Sequence, residues 1–166
     1  MLERILKLTE VEEDSLFLWG SRQTGKSTLL KALFPKARLY DLLKTDVRMA
    51  FQLHPSRLRE ECEMLDEGEL VIIDEVQKVP ALLDEVHWLI ENRGLRFVLS
   101  GSSARKLRRS GANLLGGRAL RRTLFPLVSV EIPDFDLKRA LNNGMLPRHY
   151  LAADPSKRIQ AYIGDD

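Results

Sequence analysis

The chain has 166 residues, of which 44% are hydrophobic and 30% charged, the size and balance of one domain with a packed core. No apolar run approaches the ~20 residues that span a membrane, the start Met1-Leu2-Glu3-Arg4-Ile5-Leu6-Lys7-Leu8 is unlike a secretory signal, and one cysteine, Cys62, excludes an internal disulfide and a cysteine-based zinc site. The net charge of +2 is too small to imply nucleic acid by itself, and a cytoplasmic location is the simplest inference.

Leu2, Ile5 and Leu6 suit one face of a short N-terminal helix. Ser15–Trp19 is apolar and reads as a buried strand. It leads into Gly20-Ser21-Arg22-Gln23-Thr24-Gly25-Lys26-Ser27, which fits G-x-x-x-x-G-K-[ST], the phosphate-binding P-loop or Walker A pattern. Residues 28–34 then read as an amphipathic helix with Leu29, Leu33 and Leu30 toward the core. Strand, glycine loop and helix form the arrangement that aims backbone N–H groups at a phosphate. Lys26 would reach the β- and γ-phosphates, Ser27 would hold Mg²⁺ through its hydroxyl, and Thr28 would contact the α-phosphate.

Pro35 ends that helix, and residues 37–42 can form a second strand. Residues 55–65 suit a helix, with Leu58, Cys62 and Leu65 along one side and Gly68 closing it. His54 has no paired ligand nearby and reads as a surface or capping residue. Cys62, among acidic neighbours, reads as structural.

Leu70-Val71-Ile72-Ile73 followed by Asp74-Glu75 is the Walker B pattern, on a strand buried on both faces. Asp74 is placed to orient the Mg²⁺ shell through water, and Glu75 to polarise the attacking water as general base. A helix follows over 81–92, in which Trp88 and Leu89 read as packing. Residues 96–100 form another buried strand, ending in Ser100-Gly101-Ser102-Ser103. A polar residue there senses the γ-phosphate in P-loop ATPases of the additional-strand kind, so Ser100 and Ser102 are candidates. A serine-rich turn capping the next helix is the competing reading.

Residues 105–122 carry Arg105, Lys106, Arg108, Arg109, Arg118, Arg121 and Arg122, interrupted by Gly111, Gly116 and Gly117. They read as a short basic helix, a flexible glycine stretch and the lead into a last strand at 127–130. A short helix to about Leu141, a turn at Gly144 and a final helix from Asp154-Pro155-Ser156 complete the chain.

With these blocks in place, the sequence resembles the prokaryotic AAA-type ATPases whose P-loop domain is usually joined to a C-terminal domain of unknown function. The resemblance lies in Gly20–Ser27, Ile73–Pro80, Leu99–Ala104, and Gly116-Gly117-Arg118 with Leu124–Leu127, and covers about residues 1–150. It implies an α/β fold of three layers around a five-stranded parallel sheet, strand order 5-1-4-3-2. Residues 151–166 would then begin a truncated C-terminal region. It also implies ATP rather than GTP. No N-K-x-D guanine-reading motif is present, and Asp74 is not followed by a D-x-x-G switch. Among the arginines, Arg118 is the candidate finger. It follows two glycines and the sensor strand and matches the family's Gly-Gly-Arg block. Arg121 and Arg122 are second choices.

The expectation is therefore an Mg²⁺-dependent ATP-binding domain with slow hydrolysis to ADP and phosphate. Glu75, Lys26, Ser100 and Arg118 would be catalytic, residues 20–28 would bind nucleotide, and Ser27 and Asp74 would hold the metal. The alternative is a nucleotide-gated module that docks DNA or a protein partner through the basic 105–122 segment. A homo-oligomer in a longer form is a further expectation. A small-molecule kinase is disfavoured by Glu75, which suits water activation.

Overall fold

A computed structural model of the chain describes residues 2–109 and 115–164. Five strands form one sheet: β1 (Ser15–Trp19), β2 (Arg38–Asp41), β3 (Leu70–Asp74), β4 (Arg96–Gly101) and β5 (Ala119–Thr123). Their spatial order is β2-β3-β4-β1-β5, and every pairing is parallel. This is the expected 5-1-4-3-2 order read from the other edge. The helices are α1 (Lys26–Leu33), α2 (Thr45–Leu53), α3 (Arg57–Glu61), α4 (Leu82–Arg93), α5 (Ala104–Arg109), α6 (Leu137–Asn143), α7 (Pro147–Tyr150) and α8 (Ser156–Gly164). None is long and apolar enough to cross a membrane, among the described residues.

The apolar runs of β1, β3 and β4 are buried on both faces, the condition of a central parallel strand covered by helices. Strand alternation divides them. Phe17, Val71, Ile73, Phe97 and Leu99 pack toward Leu82, Leu83, Val86 and Leu89 of α4. Leu16, Leu18, Ile72 and Val98 face Leu29 and Leu30 of α1. Leu83 is 1% exposed, so truncating it to alanine should cost about 2–5 kcal/mol. Gly94, at φ 60°, ends α4 in the left-handed conformation that a side chain resists.

Four local expectations need correction. The last strand lies at Ala119–Thr123, and 129–131 is a 3₁₀ turn instead. Apolar content misled here, because β5 is an edge strand paired only with β1 and carries exposed Leu120, Arg121 and Thr123. The apolar residues after it are used differently. Leu127 joins Ile132 and Tyr150 in a small third cluster, while Val128 and Val130 face solvent. Residues 2–8 form no helix; they run as a strap across the domain, and the first turn is 3₁₀ at Thr9–Glu12. The segment 43–68 holds two helices rather than one, α2 being the addition, while α3 is shorter than the expected 55–65. Finally, Leu33 is 44% exposed while Leu29 and Leu30 are buried. His54 is the exposed residue closing α2. Cys62 is buried, and burial pushes its thiol up from the ordinary value, which suits a packing residue.

Candidate nucleotide site

The site forms at the carboxyl edge of the sheet, where open α/β folds bind ligands. β1, β3 and β4 all end there, with Trp19 opposite Gly101 in register. The chain leaves β1 through Gly20, where a Cβ would lie 2.4 Å from the Leu124 carbonyl oxygen, so only glycine fits. It enters α1 through Gly25 at φ 95°. Gln23 also holds a positive φ of 65°, a conformation that costs a non-glycine residue about 1–3 kcal/mol. Helix α1 starts at Lys26, two residues before its expected start, so Lys26 and Ser27 lie in its first turn.

Lys26 is 5% exposed and folds back over the loop, its Nζ donating to the carbonyls of Gly20 (2.7 Å) and Ser21 (3.0 Å). Burial lowers its pKa, and the nearby Glu75 and Asp74 carboxylates act against that shift. Thr24 is fully buried, and its hydroxyl donates to the Ser21 carbonyl at 3.0 Å, so its side chain braces the loop from inside.

The Ser27 hydroxyl donates to Asp74 Oδ2 at 2.5 Å, and the Ser100 hydroxyl donates to Asp74 Oδ1. Asp74 is 2% exposed, so both its oxygens are satisfied where an unpaired charge would be costly. The next residue, Glu75, turns out of the strand at φ 62°. Its backbone N–H donates to Ser100 Oγ at 3.4 Å, and its carboxylate accepts from Gln77 Nε2 and, at 3.5 Å, from Ser102 Oγ.

Lys26, Ser27, Thr28 and Glu75 line a single cavity of about 630 Å³, together with Arg22, Gln23 and Gly25 of the loop. That volume is within the range of small-molecule sites. Ser100 is fully buried on Asp74, and it is Ser102 that reaches the cavity wall. Arg118 lies elsewhere. It precedes Ala119, which pairs with Ser15 at the start of β1, so it sits at the opposite end of the sheet from Gly20. Its Nε donates to Glu91 of α4. Five lining residues escaped the sequence reading, Leu43 and Lys78 among them. Gln77 follows the acidic pair, and Pro147 and Arg148 of α7 line the same cavity. The only sequence cue for α7 is a proline at a helix start.

The N-terminal strap supports the loop from the other side. Arg4 donates to the carbonyls of Thr24 (2.8 Å) and Phe125 (2.6 Å) and pairs with Glu131 at 3.0 Å. Glu131 also accepts from the backbone N–H groups of Ile5 (2.9 Å) and Val128 (3.1 Å). Burial pushes the Glu131 carboxyl up, but these donors outweigh it and hold it below the usual carboxylate range. Beside Arg4, Leu2, Thr28, Leu29, Leu127 and Leu151 enclose an apolar recess of about 160 Å³.

The donor set suits Mg²⁺. Ser27 and Asp74 offer adjacent hard oxygens, and a hydroxyl that donates to Asp74 still has a lone pair for a metal. Among the described residues no cluster of three or more acidic, histidine or cysteine ligands exists. Mg²⁺ does not require one, since it commonly takes one or two protein oxygens beside substrate phosphates and water.

A Walker-type ATPase of Pyrococcus abyssi is similar in fold, with a TM-score of 0.58 and 16% identity over 93% of this chain and 68% of that one. A structure of two Pif1 helicases coordinating at forked double-stranded DNA aligns more loosely, with a TM-score of 0.47 and 16% identity over 95% of this chain and 52% of that one. No curated protein matches the sequence. Residues 12–132, from just before β1 to just past β5, match the model of the AAA domain family, and the chain belongs to that family of P-loop ATPases.

Proposed function

We propose that this AAA domain binds Mg·ATP and hydrolyses it to ADP and phosphate. The observation that carries the reading is the Ser27–Asp74–Ser100 chain of hydrogen bonds, with Lys26 and Glu75 opening beside it onto one cavity. Lys26 would exchange the Gly20 and Ser21 carbonyls for β/γ-phosphate oxygens, a charge-assisted and stronger pairing. The loop and α1 N–H groups would bind the phosphate chain. Bound Mg²⁺, held by Ser27 and through water by Asp74, would supply charge neutralisation on the phosphates. Glu75 would take a proton from a water as its oxygen bonds to the γ-phosphorus and the bond to the β-phosphate oxygen breaks. The adenine ring would lie in the apolar recess beside Arg4 and Leu29.

Arg118 is too far along the sheet to serve its own chain, so a finger role for it would be on an adjacent chain in a homo-oligomer. The alternative, nucleotide-gated docking of DNA or a protein through 105–122, draws on exposed Arg105 and Arg121. Two of its charges are committed elsewhere, Arg118 to Glu91 and Arg122 to Glu10. Residues 110–114, including Gly111, lie outside the described residues.

Phosphate release from ATP, measured with Mg²⁺, with EDTA and with added DNA, tests the proposal. Mg²⁺-dependent release that EDTA abolishes is expected. Binding of ATP without turnover, with DNA affinity that depends on nucleotide, would favour the docking module.

A further inference from the structure

We infer that Gln77 is a positioning residue for Glu75, holding the carboxylate of the proposed base at the cavity wall. The inference rests on the reading of Glu75 as that base. Gln77 lies two residues beyond Glu75, in the Val76–Lys78 turn. Its side-chain amide uses both hydrogens. One goes to Glu75 Oε2, the other to Ser102 Oγ at 3.1 Å. The Ser102 hydroxyl, accepting from Gln77, is free to donate onward to the same Glu75 oxygen at 3.5 Å. The three side chains form a closed ring with consistent donor directions. Both donors fall on Oε2, which leaves Oε1 of Glu75 to accept a proton.

Three features show that the ring sets this geometry. Glu75 stands at φ 62°, where its backbone alone gives the side chain no regular neighbour to lean on. The amide oxygen of Gln77 is buried with no hydrogen-bond partner among the described residues. Its N–H side is therefore what orients it, at the expense of an unmet acceptor. Room for that oxygen depends on Gly101 at the end of β4. A Cβ there would sit 2.6 Å from Gln77 Oε1 and 2.7 Å from the Trp19 ring. The end of β4 thus makes room for Gln77 at Gly101, and Ser102, just beyond the strand, accepts from its amide.

A carboxylate that swings by an ångström loses in-line contact with the water, which costs up to about 100-fold in rate without changing nucleotide binding. Gln77→Met keeps length and packing and removes the donor. Gln77→Glu keeps shape and polarity but turns an acceptor toward Glu75. Positioning by donation predicts that kcat falls in the order parent, Gln77→Met, Gln77→Glu, with a loss of about tenfold or more at Gln77→Met and KM and the Kd for ATP within about twofold of parent. A packing role predicts instead that Gln77→Met, which keeps length and packing, retains the parental kcat. The contact has its own readout in nucleotide-free protein. The ¹⁵N-labelled side-chain amide of Gln77 should resonate away from the position of free glutamine amides and move toward it in Glu75→Ala. An unmoved signal, or a Gln77→Met enzyme within twofold of parental kcat, overturns the inference. If Glu75→Gln itself turns over at the parental rate, the base assignment fails and the positioning role falls with it, while the amide signal still reports whether the contact exists.

Discussion

Ser27 and Asp74, 47 residues apart in sequence, meet through a 2.5 Å hydrogen bond that ties the first turn of α1 to the end of β3. The bond holds the two halves of the proposed metal site together before any ligand arrives. A preformed pair of oxygens needs little rearrangement to accept Mg²⁺, which favours tight geometry. Replacing Ser27 by alanine should leave the fold intact and weaken ATP binding in Mg²⁺ far more than in EDTA. Titration calorimetry in the two buffers checks this. Equal losses would assign Ser27 to the loop's shape instead.

Lys26→Ala should remove most affinity for Mg·ATP while the protein stays folded. Its Nζ is held by two carbonyls over the loop, an arrangement that orients a cation toward the cavity without neutralising it. Calorimetric titration of mutant and parent decides the matter, and equal affinities would remove the loop from the nucleotide site.

Glu75→Gln should bind ATP as the parent does and hydrolyse it at least ~100-fold more slowly, the scale of a lost general base. Single-turnover phosphate release measures the chemical step directly. A parental rate would mean that water is activated elsewhere.

Arg4→Ala should destabilise the domain by about 3–5 kcal/mol, because it strands the nearly buried Glu131 carboxylate without its partner. The sign with pH follows from the direction of the Glu131 shift. Its folded pKa lies below the unfolded value of about 4.3. The donors therefore stabilise the fold above that pH, and the contribution is lost as pH falls through the lowered pKa. Denaturant midpoints from pH 7 to pH 3 should fall less steeply in Arg4→Ala than in the parent. Parallel curves would show that Arg4 does not set the Glu131 ionisation.

The sheet and the phosphate loop were legible because they are written in local pattern. Three apolar runs ending in Gly20, Asp74-Glu75 and Ser100-Gly101 placed β1, β3 and β4, and glycine spacing placed the loop. β5 was misplaced because an edge strand needs little apolar content, so its register against β1 left no trace in composition. Arg148 and Pro147 reach the cavity only through the packing of Leu127, Ile132 and Tyr150, which no periodicity announces. The Arg4–Glu131 pair joins the two ends of the domain and is likewise invisible to spacing. Gln77 was visible as a residue of the second block, but its role depends on a turn at positive φ that only the folded backbone shows.

The position of Arg118 leads to the last prediction. A parallel β5 separates it from Gly20 by the length of the strand, about 16 Å at 3.3 Å per residue, and its guanidinium faces Glu91 on the far side of the sheet. It cannot reach a γ-phosphate on its own chain without undoing the β1–β5 pairing. A role on an adjacent chain, as proposed, would require the pair with Glu91 to open; that pair is about 39% and 48% exposed, and such surface pairs are worth roughly 0–1 kcal/mol. Opening it costs little against the ~10³–10⁵ in rate that a finger arginine adds. If Arg118 acts in trans, specific ATPase activity rises with protein concentration, and Arg118→Ala flattens that rise while leaving the Kd for ATP unchanged. Glu91→Ala, which releases the arginine, should shift the rise to lower concentration. Arg148 lines the cavity of its own chain, so Arg148→Ala should lower activity by the same factor at every concentration. A rate independent of concentration and indifferent to Arg118→Ala would leave Arg148 and Arg22, which line the cavity, as the arginines to test next.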